Sequence, residues 1–150
     1  MLQWRFTSFD ELTVREVHDV YQARVGVFVV EQDCVFQDVD GADPACWHLL
    51  GREGETLVAY CRLVPPGLKY SEPSIGRVLT SKAARRSGAG RALMAEALDC
   101  AERLWPGQAI RIGAQHYLEH FYGTFGFVQA SDPYDEDGIQ HIEMVRNAER

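Results

Sequence analysis

Apolar residues recur along this chain with two periods, and the points where one period gives way to the other predict its elements. Residues 2–6 alternate apolar and polar and read as a first strand. Two candidate capping boxes follow, Ser8-x-x-Glu11 and Thr13-x-x-Glu16, of which Thr13 is better placed to start a helix. From there Val14, Val17, Val20, Tyr21, Arg24, Val25, Phe28 and Val29 recur every three or four residues, one face of a long amphipathic helix that packs on a sheet. An irregular segment rich in Asp33, Asp38, Asp40, Gly41, Asp43 and Pro44 comes next, and its acids read as turn formers on a solvated face. Residues 46–52 and 56–64 read as strands joined by a hairpin at Gly51-Arg-Glu-Gly-Glu55, and Pro65-Pro-Gly67 ends the pair.

A strand over 74–80 leads through a glycine turn into a helix over 91–104 that holds neither Gly nor Pro. Leu93, Ala97, Cys100 and Leu104 line one stripe of it, and Met94, Leu98, Ala101 and Trp105 widen that stripe, so the helix is buried along a broad face. Residues 109–115 read as a strand, 117–124 as a short helix, Phe127 as the start of another strand, 131–138 as a polar turn and 139–145 as the last strand. The order is strand, helix, three strands, helix, strand, short helix, two strands. It is an α+β arrangement with no repeat or linker, which implies a single domain over residues 1–150.

Length agrees with one domain, since 150 residues can bury roughly 70% of the surface their unfolded chain exposes. With 46% hydrophobic and 25% charged residues the composition is that of a globular protein. The longest apolar run, residues 25–30, is far too short to span a bilayer, and the first residues lack the apolar core of a signal peptide. A cytoplasmic protein with no membrane partner is expected. Cys34, Cys46, Cys61 and Cys100 form no Cys-x-x-Cys pair and no His stands at a metal-like interval, so no metal is expected. A net charge of −7 argues against a nucleic-acid partner and permits a cationic substrate.

Against that acidic background one stretch is basic. From Pro73 to Ala95 the chain carries Arg77, Lys82, Arg85, Arg86 and Arg91 and no acid. Gly88 and Gly90 remove the side chains that would keep a phosphate from the backbone, and the first amides of the following helix have no partner within it. Strand, glycine turn and helix start thus make an anion site. A dinucleotide fingerprint would need glycine where Leu93 stands, and no Gly-Lys-Ser/Thr occurs, so both nucleotide readings are weak.

Arg85-x-x-Gly88-x-Gly90 resembles the pyrophosphate loop of the GNAT acetyltransferases, a family that binds acetyl-CoA. The element order is similar to that family's fold across essentially the whole chain. Phe121-Tyr-Gly-Thr-Phe-Gly-Phe127 looks like its second signature, and residues 27–32, Gly76-Arg-Val78, Ala114-Gln115 and residues 137–141 resemble its ElaA-like branch. Thr80 departs from the large apolar residue usual at that strand's end.

The resemblance implies a mostly antiparallel central sheet of six to seven strands flanked by helices and splayed at the acetyl-CoA site. It implies that Val78, Leu79 and Thr80 offer backbone groups to the pantetheine arm. The pyrophosphate would fall on the amides of Arg86, Ser87, Gly88, Ala89, Gly90 and Arg91, with Arg85, Arg86 or Lys82 reaching outlying oxygens. A backbone amide of Leu79 or Thr80 would face the developing oxyanion. Tyr122 is the expected general acid, with Tyr117 its competitor, because a phenol of pKa about 10 is close to a departing thiolate of about 8.5. Glu31, His48, His116 and His141 are candidate bases, His141 and Glu31 foremost. The expected activity is acetyl transfer to a small-molecule or peptide amine by direct attack in a ternary complex. The acidic segments lean toward a cationic acceptor, and a homodimer is compatible with the sequence. A non-catalytic acyl-CoA sensor and an acyl-homoserine-lactone synthase of the same fold are the alternatives.

Overall fold

In the computed structural model, which describes residues 1–148, β1 (Gln3–Ser8), β2 (Trp47–Glu53), β3 (Thr56–Val64) and β4 (Ser74–Thr80) pair in that order, each antiparallel to the next. A second sheet runs β5 (Ile110–Gln115), β8 (Ile139–Arg146), β6 (Val128–Gln129), with β7 (Tyr134–Glu136) also paired to β8. The strands thus form two four-stranded sheets, where one central sheet of six to seven was expected. The extra strand, β7, lies inside the polar segment read as a turn. Asp137 and Gly138, with φ of 53° and 83°, supply the two left-handed residues of a tight hairpin into β8.

The sheets meet where β4 and β5 begin. The Arg111 amide donates to the Pro73 carbonyl at 3.0 Å, and no ladder between the two strands follows among the described residues. This is the expected splay. Helix α2 (Ala89–Leu104) and the short α3 (Glu119–Gly123) cover one face, burying Leu93, Met94, Ala97 and Cys100 against Leu49, Cys61, Leu63, Ile112 and Met144. Helix α1 (Val14–Arg24) covers the other with Val20 against Leu50, Tyr60 and Leu79. Its start is fixed by Thr13, whose hydroxyl accepts from the Glu16 amide at 3.1 Å while Glu16 accepts from the Thr13 amide at 2.9 Å. No helix among the described residues is long and apolar enough to cross a membrane.

Two features depart from the periodic pattern. Gly51 belongs to β2, and the hairpin turn is Gly54-Glu55; a Cβ on Gly51 would stand 2.6 Å from the Trp4 ring, which is why the strand carries glycine there. The acidic segment is not a solvated face. Arg24, fully buried on the apolar side of α1, donates to Asp43 at 2.8 Å and Asp38 at 3.0 Å. Arg62 donates to Asp43 at 3.0 Å and Asp40 at 2.8 Å, and Arg77 to Asp38 at 2.8 Å. Three guanidinium groups and three carboxylates cancel, and together they tie the irregular segment to α1, β3 and β4.

The Arg62 guanidinium holds the Asp40 carboxyl well below its ordinary range. For Asp43, burial alone would raise the pKa, and hydrogen bonds from Arg24 and Arg62 outweigh it. Carboxyls depressed in the fold stabilise it above their unfolded pKa of about 3.9, and that stabilisation is lost as pH falls through the folded values. Asp43→Asn leaves buried guanidinium groups short of an anion and should cost about 3–5 kcal/mol in urea unfolding at neutral pH. Its gap from the native chain should narrow below about pH 4, as the native carboxyls protonate too. A gap that stayed constant to pH 3 would show that the network's charge does not stabilise the fold.

Candidate functional site

Past Arg24 the helix changes winding. From Val25 to Glu31 it is a π-helix, closed by Gln32 N–H to Val27 O at 3.2 Å and Cys34 N–H to Val29 O at 3.0 Å. Such i→i+5 turns are rare and cluster at functional sites. This one turns Val27, Phe28 and Glu31 toward a cavity of about 430 Å³ that fills the splay between β4 and β5. The Gln115 side-chain amide donates to Gln32 Oε1 at 3.3 Å and Cys34 Sγ donates to the Asp137 carbonyl at 3.2 Å, so the end of the π-helix and the segment after it are tied to β5 and to the β7–β8 turn.

One end of the cavity reaches Thr80, Arg85 and Gly90. Gly88 caps α2 in the left-handed region at φ 87°, and the amides of Gly88, Ala89, Gly90 and Arg91 have no acceptor among the described residues. The Ser87 amide is already spent on the Ala84 carbonyl at 3.3 Å, and its hydroxyl bonds the same oxygen, so Ser87 shapes the turn. The Ala89 side chain packs inward against Val58 and Ala84, leaving only its backbone to face outward. Arg86, at φ 66°, and Lys82 are exposed, and Arg91 lies 5.1 Å over the Phe125 ring with a hydrogen bond to Thr124 at 3.3 Å. Arg85 is ion-paired with Glu31 and donates to the Thr80 carbonyl at 3.2 Å, so its charge is turned toward the π-helix.

Val78, Leu79 and Thr80 all line the cavity. The β3–β4 ladder slips between Tyr60 and Arg62, so Arg77 and Val78 together oppose Cys61, and Arg77 takes φ 51°. That is a β-bulge, which bends β4 away from β5. Beyond it the Ser81 amide donates to the Val58 carbonyl at 2.8 Å. Strand alternation then directs the Leu79 amide to β3 and opens the Thr80 backbone toward the cavity, in agreement with the Thr80 carbonyl accepting from Arg85.

Tyr122 lies on α3 with 7% of its surface exposed and lines the cavity, and its phenol makes no hydrogen bond among the described residues. Burial pushes its phenol above the ordinary range, so it stays protonated. Tyr117, 74% exposed at the mouth, has no such setting. His141 lines the cavity on β8; its Nδ1 donates to the Ile139 carbonyl at 2.8 Å, which leaves Nε2 to take a proton, and Nε2 stands 3.3 Å from Glu136. Tyr134, directly opposite on β7, stacks on the ring at 5.9 Å.

Glu31 also lines the cavity, but the hydrogen bond from Arg85 holds its carboxyl below the ordinary range and makes it a poor base. His48 is buried away from the cavity between the Tyr60 hydroxyl at 2.7 Å and the Asp43 carbonyl at 3.0 Å. His116 sits in a shallow surface depression with Gln140. Glu136 and Lys69, both cavity-lining, were not singled out from the sequence. The Asp137-Gly138 turn signal was the clue to Glu136, since it places a strand before it; Lys69, in a Pro-Pro-Gly loop, has no comparable signal. No group of three or more His, Cys, Asp or Glu that could hold a metal occurs among the described residues.

Residues 43–148 match the model of the acetyltransferase (GNAT) domain. A UPF0039 protein of Synechocystis is 45% identical over 96% of this chain and 94% of its own. The crystal structure of Escherichia coli ElaA, 38% identical, superposes with a TM-score of 0.93 over 98% of this chain and 100% of the other. An acyl-CoA N-acyltransferase from Pseudomonas aeruginosa, 42% identical, gives the same TM-score of 0.93 over 97% of this chain and 99% of that one.

Proposed function

The chain belongs to the GNAT family of acyltransferases, and on that premise we propose that it moves an acetyl group from acetyl-CoA to a primary amine by direct attack in a ternary complex. One observation carries this reading: the Tyr122 phenol and the His141 imidazole line the same cavity, at whose end lie the acceptor-less amides of Gly88 to Arg91. The loop fits a diphosphate, because its amides are unspent, glycine keeps side chains off them, and the exposed Lys82 and Arg86 can approach.

Bound there, acetyl-CoA supplies a thioester carbon open to an amine. His141 Nε2 accepts the proton that the amine loses as its bond to carbon forms, and Glu136 holds the ring once it is charged. The Thr80 amide is placed to donate to the developing oxyanion. Tyr122, kept protonated by burial, gives its proton to sulfur as the carbon–sulfur bond breaks. Glu31 and Arg85 close on each other over the cavity's edge, where they border the pantetheine path along Val78, Leu79 and Thr80. No cysteine is set up as a nucleophile: burial raises the thiol pKa of Cys34, Cys46, Cys61 and Cys100, which favours direct attack over a covalent intermediate.

Free-thiol release from acetyl-CoA over an amine panel should fall about 10²- to 10⁴-fold in kcat for Tyr122→Phe, with calorimetric affinity for CoA unchanged. Full activity in that variant would remove Tyr122 from the chemistry, and CoA binding without turnover of any amine would favour a sensor. Arg86→Glu and Arg91→Glu should each weaken CoA binding by roughly ten-fold at low salt, an effect that fades as salt screens it. Unaltered affinity in both would move the diphosphate elsewhere.

A further inference from the structure

Among the cations that line the cavity, all but one are paired with an acid of the described residues. Arg62 and Arg77 belong to the neutral aspartate cluster, and Arg85 is paired with Glu31. Lys69 makes no hydrogen bond or ion pair among the described residues; its ammonium lies 5.5 Å from the centre of the Tyr70 ring. The loop that carries it is fixed by the Gly67 amide donating to the Tyr70 carbonyl at 2.7 Å.

What surrounds the ammonium is a set of donors. Around the point where a Cβ on Gly113 would sit, Tyr70 Oη is 3.0 Å away, Tyr134 Oη 3.1 Å and Lys69 Nζ 4.0 Å. Gly113 is therefore glycine to make room for them. Both phenol oxygens reach the same point, and each O–H can donate. Lys69 is exposed as a residue, yet desolvation at its ammonium lowers the pKa, with Glu136 opposing the shift. Of the nearby acids, Glu143 is bound by Arg111 at 3.0 Å and Glu136 faces His141.

Register places this patch beside the chemistry. Gly113 pairs with Glu143 and Gln115 with His141, so Gly113 and His141 are diagonal neighbours on one face of the sheet, about 7–8 Å apart. It is also the end remote from the phosphate loop: Ser74, which borders the cavity on this side, and Thr80 are the two ends of β4, about 20 Å apart at the usual rise per residue. Lys69 is too far away to serve the diphosphate. Of the acids that suggested a cationic acceptor, Asp38, Asp40 and Asp43 are neutralised internally.

We propose that Lys69 determines acceptor specificity, its ammonium holding a carboxylate on a small amino-acid-like acceptor whose amine stands beside His141 and Glu136. This rests on the N-acyltransferase reading above and adds the acceptor's class. A molecule whose amine and carboxylate are one or two carbons apart suits two such neighbouring positions, with one hydrogen bond of about 2.8–3.0 Å at each end. A polyamine finds an anion at only one end.

The test measures binding first, so that a slow enzyme can be tested as well as a fast one. N-acetyl amino acids and their C-terminal amides are titrated calorimetrically into the CoA-loaded protein, and the parent amino acids and amides are compared as acceptors. The carboxylate forms should bind at least ten-fold more tightly and show the higher kcat/KM. Lys69→Met should collapse that ratio to near one, Lys69→Arg should retain most of it, and Lys69→Glu should reverse it toward acceptors with a second amine. Equal binding of the two forms, no binding of either, or a ratio untouched by Lys69→Met would each overturn the proposal. Loss of turnover with the binding ratio intact would instead count against the catalytic assignments.

Discussion

Everything at the site follows from the parting of β4 and β5. The two strands start side by side, joined by the Arg111 amide on the Pro73 carbonyl, and then separate. Backbone groups along a parted edge lose the partners a sheet would give them, and a buried edge without partners is costly. Here the cost is turned to use. The bulge at Arg77 and Val78 opens the edge, Thr80 turns its backbone into the gap, and the chain goes straight on to the acceptor-less amides of α2. A row of unspent main-chain donors and acceptors, flanked by apolar Val27, Phe28 and Tyr122, suits a ligand that is part amide and part phosphate.

A gap inside a small domain would close unless something held its walls, and the buried charge cluster does this. Arg77, which adopts the strained bulge conformation, is gripped by Asp38, which also binds Arg24 beneath the start of the π-helix. Helix, loop and bulged strand are thus fixed to one another by hydrogen bonds whose direction matters. Apolar contacts could supply similar stability without that geometry. The cluster also explains the charge pattern: six of the chain's charges cancel within it, and the basic loop keeps Lys82 and Arg86 exposed.

Much of this was legible in the sequence, for physical reasons that differ from element to element. Helix α2 is read correctly because a broad apolar stripe without Gly or Pro has one outcome, and the Thr13 box because two side-chain bonds specify it locally. The glycine turn that leads into α2 is a local signal as well. The aspartates are misread because the same residues that favour turns also pair with arginine, and only tertiary structure brings Arg24, Arg62 and Arg77 to them. The π-winding leaves the same apolar pattern as an α-helix. Gly51 is assigned to a turn because glycine is usually there for its backbone; here it is there for Trp4.

The two acid–base pairs at the cavity show why geometry was needed to rank Glu31 and His141, which the sequence left together. Each stands beside an ionisable side chain, Arg85 for the glutamate and Glu136 for the histidine. A guanidinium never gives up its proton in this range, so it holds the Glu31 carboxylate permanently as an anion and spends its basicity. An imidazole is the side chain that changes charge near neutral pH, and a carboxylate beside it stabilises the charged state only after a proton has arrived. The first pair is therefore closed before any substrate enters. In the second, Nδ1 is committed to donating to the Ile139 carbonyl, so Nε2, beside Glu136, is the ring nitrogen left to accept a proton.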